Sequence, residues 1–170
     1  KELQEVRTAQ DEELMSLVGS GSRMHAMQVH QEVHRHVGPD DFMTFDGGDF
    51  CHFGKAYLPA LTPRRWWYLS TLGMLGSSLP TAIAAKIAYP ESRVFAFTGD
   101  GAFGFNGMEF DTAVRHNLPV IGIMGNDAAW GIDRQIQMGV YGKVVATNLL
   151  PTRYDQVVRG LGGYGELVES

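Results

Sequence analysis

Two apolar runs of strand length, Val94-Phe95-Ala96-Phe97 and residues 120–124, each give way to glycine and a carboxylate. The first leads into Gly99-Asp100-Gly101 and the second into Gly125-Asn126-Asp127. Uninterrupted apolar runs are how strands read when helices cover both faces of a parallel sheet, and such sheets bind ligands beyond the carboxyl ends of their strands. Glycine on either side of Asp100 lets backbone amides approach a phosphate closely. A hard cation such as Mg²⁺ takes one or two carboxylates and completes its octahedron with phosphate oxygens and water. The two strand ends therefore point to a metal–diphosphate site.

Helix and strand alternate along the rest of the chain. Helical patterns cover residues 24–37, 51–58, 79–88, 107–116 and 152–161, and another helix opens near Gly131. Strands fall at 41–46, 94–97 and 120–124, with a short one at 166–168, while 59–73 and 139–150 read as loops. This alternation predicts an α/β fold: a doubly wound, mostly parallel sheet with helices on both faces. A third strand end, Asp46-Gly47-Gly48-Asp49, then joins the other two at one edge. Residues 1–23 are polar and close on Gly19-Ser20-Gly21-Ser22. They are expected to be a surface helix and a flexible linker from a preceding domain. Residues 24–170 form the domain itself, expected to be truncated at its carboxyl end and to be part of a longer protein.

Composition excludes several alternatives. With 170 residues, 44% hydrophobic and 19% charged, the chain can build one sizeable core. A net charge of −5 gives no support for a nucleic-acid partner. No apolar stretch is long enough to span a membrane, and the single cysteine, Cys51, has no internal disulfide partner, so a reducing cytoplasm is the expected setting.

Further motifs stand in order around the two strand ends. Leu72-Gly73-Met74-Leu75-Gly76-Ser77-Ser78-Leu79-Pro80 and Ala82-Ile83-Ala84-Ala85-Lys86 precede them, and Glu109-Phe110-Asp111-Thr112-Ala113-Val114-Arg115 and Asn117-Leu118-Pro119-Val120 lie between them. Together they resemble the diphosphate-binding domain of the enzymes that use thiamine diphosphate. The signature of that family is Gly-Asp-Gly followed, after about 25 residues, by Asn-Asn. The resemblance covers roughly residues 25–168.

The resemblance implies a set of roles. Asp100, Asp127 and the backbone carbonyl of Ala129 would ligate Mg²⁺. The Gly99-Asp100-Gly101 turn, the amides of Gly101 and Ala102, and groups around Asp49 and Phe50 would hold the diphosphate. Trp130, Gly131 and Ile132 would lie beside the cofactor, with Ile132 lining an acyl pocket. Asp127 departs from the family pattern, where an amide is usual; alternatively Asn126 turns to the metal and Asp127 faces solvent or Arg134. Family members hold the cofactor bent, so that its own aminopyrimidine can take the thiazolium proton. Leu75 would be the wedge beneath the bend and the Gly73 carbonyl the acceptor for the exocyclic amine, although Leu75 also reads as an ordinary core leucine. Asp133 could shuttle a proton, or simply favour the positive end of a helix dipole.

The activating glutamate of the family lies on a pyrimidine-binding domain, usually from another subunit of a homo-oligomer, so this chain would hold half of an active site. Gly101-Ala102-Phe103-Gly104-Phe105, residues 125–131 and Gly162-Gly163-Tyr164-Gly165-Glu166-Leu167-Val168 look most like acetolactate-synthase-like proteins and 2-hydroxyacyl-CoA lyases of bacteria. The expected activity is reversible cleavage of a small-molecule or acyl-CoA substrate, a 2-hydroxyacyl-CoA giving an aldehyde or ketone and formyl-CoA. The alternatives are an acetolactate synthase-like carboligase, the small subunit of a split 2-oxo acid decarboxylase, or a binding scaffold without catalysis. His30 and His34, four apart, lack the order of a zinc-protease motif and read as an exposed amphipathic helix. Trp66, Trp67 and Tyr68 read as core or interface aromatics.

Overall fold

The computed structural model describes residues 2–18, 24–69 and 72–169. In chain order it contains α1 (Glu2–Ser16), α2 (Ala26–His34), β1 (Phe42–Phe45), α3 (Asp49–Tyr57), β2 (Trp66–Tyr68) and α4 (Ser78–Ala88). These are followed by β3 (Val94–Gly99), α5 (Asp100–Asn106), α6 (Glu109–Arg115), β4 (Ile121–Gly125), α7 (Gly131–Tyr141) and α8 (Tyr154–Gly160). The four strands are parallel, in the order β2-β1-β3-β4. None of the described helices is long and apolar enough to cross a membrane.

Period-two alternation sorts the strand side chains onto two covered faces. Met43, Phe45, Phe95 and Phe97 form one cluster with Cys51 and Leu58 of the α3 segment. Phe42, Val94 and Ala96 pack on the other face against Ala82 and Ala85 of α4. Phe45 and Phe97 are register partners whose rings stack at 4.6 Å, both wholly buried. Burial of each is worth about 2–3 kcal/mol in apolar transfer. The alanines bring α4 close to the sheet, and there the buried Thr44 exchanges hydrogen bonds with Ser78 rather than standing unpaired.

The structure departs from sequence expectation in four places. Trp66–Tyr68, within a stretch read as loop, form β2 beside β1; aromatic residues suit a half-buried pleated surface, and the flanking prolines and arginines hide that signal. Residues 100–106, where the sequence marks only the Gly99-Asp100-Gly101 turn, form α5, because burial of Ala102 and Phe103 outweighs the poor helix propensity of glycine. α7 runs on to Tyr141, where Gly142 at φ 64° ends it, so the expected loop starts later. Residues 166–168 form no strand. At the other end, α1 buries none of its residues, as a surface helix should; the Gly19-Ser20-Gly21-Ser22 linker lies outside the described residues.

The helix carrying His30 and His34 also needs correction. His34 is exposed, whereas His30 is wholly buried. Its Nε2 lies 2.7 Å from the Phe50 carbonyl, and its ring lies 4.5 Å from that of Phe50. A methyl group at Gly54 would strike the imidazole, so the glycine is what admits it. Burial lowers the His30 pKa from 6.5 to about 4, against a smaller upward pull from the Phe50 carbonyl.

Candidate active site

The chain leaves β1 toward β2 on one side and returns to place β3 on the other, so β1 and β3 flank the point where the winding direction reverses. Side-by-side strands whose connections diverge leave a crevice at their carboxyl ends. Asp46 follows β1, Asp100 follows β3, and Asn126-Asp127 follow β4, with Gly99 and Gly125 in register. The expected convergence of three strand ends is therefore present.

Asp100 is almost fully buried, at 2% exposure. Its Oδ2 is buried without a hydrogen-bond partner. Burial raises its pKa, the negative charge of Asp127 adds to the rise, and the backbone amides of Gly101 and Ala129 oppose it. An unpartnered carboxylate oxygen next to a second carboxylate suits a hard cation, which would supply the missing positive charge. Among the described residues no group of three or more His, Cys, Asp or Glu side chains is placed to hold a metal alone. A cation held there would draw further ligands from carbonyl, phosphate or water oxygens.

The Asn126 side chain is engaged elsewhere: its Nδ2 donates to the Thr152 carbonyl at 3.0 Å and its Oδ1 accepts from the Ala128 amide at 3.2 Å. Asp127 is exposed, its Oδ2 lying 3.8 Å from the Arg134 guanidinium. Ala128 adopts φ 54°, a left-handed conformation costly for a residue with a Cβ. Two backbone hydrogen bonds hold it there: Leu149 N–H donates to the Ala128 carbonyl at 2.7 Å, and Trp130 N–H to the Thr147 carbonyl at 2.9 Å. Ala129 and Asn148 form an antiparallel bridge between these bonds. The stretch expected to be a plain loop is thus a clamp on the second carboxylate segment.

Trp130 lies across the start of α5. A methyl group on Gly101 would sit 2.8 Å from its Cε3, so glycine there is a packing requirement. The first-turn amides of α5 have no backbone acceptor within the helix. Asp49 Oδ2 accepts from Gln135 Nε2 at 2.8 Å, which ties the starts of α3 and α7 together. Gly131 fits between the carboxylates: a Cβ there would lie 3.2 Å from an oxygen of both Asp49 and Asp127. The Phe50 ring packs on Gly125 and its carbonyl is taken by His30. Ile132 is half-buried, and Asp133 is exposed in the first turn of α7, where the dipole alone would favour it.

Leu75 is half-buried above the Gly47 turn, where a methyl group would collide with its Cδ2. Gly73 is exposed at φ 61°. Beneath this segment Asp46, 1% exposed, accepts three backbone hydrogen bonds. The sequence offered Asp46 only as one strand end among three; its role rests on amides about 30 residues away, which no local pattern reports.

Residues 46–170 match the family described as "Thiamine pyrophosphate enzyme, C-terminal TPP binding domain". The chain belongs to this family. A probable acetolactate synthase of Mycobacterium bovis is 42% identical over 161 residues, covering 94% of this chain and 29% of that protein. Human 2-hydroxyacyl-CoA lyase 2 is 36% identical over 145 residues, covering 85% of this chain and 23% of that protein. The thiamine diphosphate-dependent 4-hydroxybenzoylformate decarboxylase of Rhodococcus jostii shares the fold, with a TM-score of 0.81 at 19% identity over 90% of this chain and 29% of its own. The chain thus spans less than a third of each of these relatives. It is a thiamine pyrophosphate-binding domain of an enzyme family.

Proposed function

We propose that this chain supplies the diphosphate half of a thiamine diphosphate- and Mg²⁺-dependent carbon–carbon lyase. The enzyme would cleave a 2-hydroxyacyl-CoA to an aldehyde or ketone and formyl-CoA, reversibly. The observation that carries the site is the buried, unpartnered Oδ2 of Asp100 with Asp127 beside it. Asp100, Asp127 and the Ala129 carbonyl would hold Mg²⁺; because Asn126 is committed to Thr152 and Ala128, Asp127 is the better second ligand. The amides of Gly101 and Ala102 would bind the diphosphate, while Trp130 keeps water from one side. Leu75 would support the bent cofactor, with the Gly73 carbonyl accepting from its amine. When bound, thiamine diphosphate supplies the carbon nucleophile and electron sink for breaking a bond next to a carbonyl. Asp133 would exchange a proton at the reacting carbon, which requires that the pyrimidine-binding domain cover its exposed carboxyl.

Relatives that are 2-hydroxyacyl-CoA lyases 2, at 34–40% identity, support the lyase reading. The 42% identity to a probable acetolactate synthase favours a second reading, decarboxylation and carboligation of 2-oxo acids. Product identification by mass spectrometry, with each substrate class offered separately to the complete enzyme, decides between them. Homo-oligomeric assembly, with the activating glutamate from another subunit, and a cytoplasmic setting belong to the same proposal.

A further inference from the structure

Asp46 is buried at the end of β1, yet two of the three backbone hydrogen bonds to its carboxylate come from the chain just after Leu75. Its Oδ1 accepts from Gly47 N–H at 2.9 Å and Gly76 N–H at 3.0 Å, and its Oδ2 accepts from Ser78 N–H at 3.1 Å. The Asp46 amide donates to the Phe97 carbonyl at 2.9 Å, so the residue is fixed to β3, the strand that leads into Asp100. Around it, Ser78 Oγ donates to the Thr44 carbonyl at 3.1 Å, and Asn106 Nδ2 donates to the Gly76 carbonyl at 2.9 Å. Gly76 at φ 81° is a glycine-only conformation held from both its amide and its carbonyl. The Leu75 side chain, one residue earlier, is thereby set over Gly47.

We infer that Asp46 is a positioning residue: its buried carboxylate ties the Leu75 segment to the β3 strand end, so that the wedge beneath the cofactor and the Asp100 metal anchor share one rigid frame. This rests on the bent-cofactor reading of Leu75. A carboxylate so deeply buried costs desolvation, and burial does raise the Asp46 pKa; three charge-assisted backbone bonds offset that cost. Asp46→Asn keeps the Oδ1 acceptor but turns an NH₂ group toward the Ser78 N–H, two donors facing each other. Gly47→Ala leaves Asp46 untouched and pushes Leu75 away with its methyl group.

The test has two readouts on the complete enzyme. In the cofactor-free state, amide hydrogen exchange at Gly76 and Ser78 should quicken at least about tenfold in Asp46→Asn, while β3 amides keep their protection. With thiamine diphosphate and Mg²⁺ bound, H/D exchange at the thiazolium C2 should slow by about 10- to 100-fold in both variants, with cofactor affinity within about threefold of wild type. Unchanged amide protection in Asp46→Asn overturns the clasp. So does wild-type C2 exchange in Asp46→Asn and Gly47→Ala when Leu75→Ala slows it. Wild-type C2 exchange in Leu75→Ala brings down the wedge reading instead, and the amide exchange alone then decides whether Asp46 holds the segment. Should Asp46→Asn fail to fold, Gly47→Ala carries the C2 arm.

Discussion

A carboxylate as deeply buried as Asp100, with one oxygen unpartnered, costs stability in the empty protein and gains affinity for a cation. Asp100→Asn should therefore leave the cofactor-free fold as stable as wild type or more so, by about 1 kcal/mol. The same variant should weaken Mg²⁺-dependent thiamine diphosphate binding by on the order of 100-fold, since even groups behind the ligands cost 10–100-fold. Thermal melts of the empty protein together with calorimetry check both halves. Asp127→Asn, which retains a ligating oxygen, should stay within about tenfold of wild type; a loss as large as that for Asp100 would mean that the second charge itself is needed. His30 makes a separate pH prediction. The unfolded imidazole takes a proton below about 6.5, whereas the buried one resists until about 4. Its contribution is full above pH 6.5 and is lost as pH falls toward 4, up to about 3 kcal/mol. Asp46 and Asp100, whose pKa values are raised, work in the opposite direction, so the measurement is a difference. Denaturant melts of wild type should lose more stability between pH 6.5 and 4 than those of His30→Gln, which can still donate to Phe50.

At the scale of elements, what could be read in the sequence follows from the range of the forces involved. β3 was legible because burial on both faces leaves a continuous apolar run, β4 because its run stays apolar although it is the partly exposed edge strand, and the Gly-Asp-Gly turn because its chemistry is local. β2 was hidden among prolines and arginines, and α5 among glycines, since only packing against distant residues makes them regular. The clamp formed by Thr147, Asn148 and Leu149 left no trace in side-chain pattern because its bonds run from backbone to backbone. The buried side of His30 was missed for a related reason: an imidazole reads as polar until Gly54 makes room for it and the Phe50 carbonyl accepts a hydrogen bond from its Nε2–H. The clamp can be cut without touching a predicted ligand. Leu149→Pro removes the donor to the Ala128 carbonyl, a bond worth about 1 kcal/mol. Ala128 should then leave its left-handed conformation more readily, and Mg²⁺ affinity should fall about fivefold with the melting temperature within about 4 °C of wild type. Equal Mg²⁺ affinity in the two proteins would show that the Ala129 segment needs no clamp.

For the whole molecule, the sheet gathers its chemistry at one edge and leaves that edge open. Leu72 is 92% and Met74 63% exposed on either side of Gly73, next to the proposed wedge. Apolar side chains at the rim of a crevice suit cover by another domain, and the chain spans only 29% and 23% of its synthase and lyase relatives. Residues 1–170 alone should accordingly bind Mg²⁺ and thiamine diphosphate yet give no turnover if, as proposed, the activating glutamate comes from another domain. The complete enzyme should cleave a 2-hydroxyacyl-CoA to a carbonyl compound and formyl-CoA, with pyruvate a poor substrate. Asp133→Asn should then slow turnover with cofactor affinity retained, since a lost proton carrier acts on the chemical step. If Asp133 only favours the α7 dipole, the same change costs a few tenths of a kcal/mol in stability and leaves kcat alone. Rapid acetolactate formation from pyruvate without formyl-CoA would assign the enzyme to the synthase reading, in which the same strand-end carboxylates would hold the same cofactor for a different acyl group.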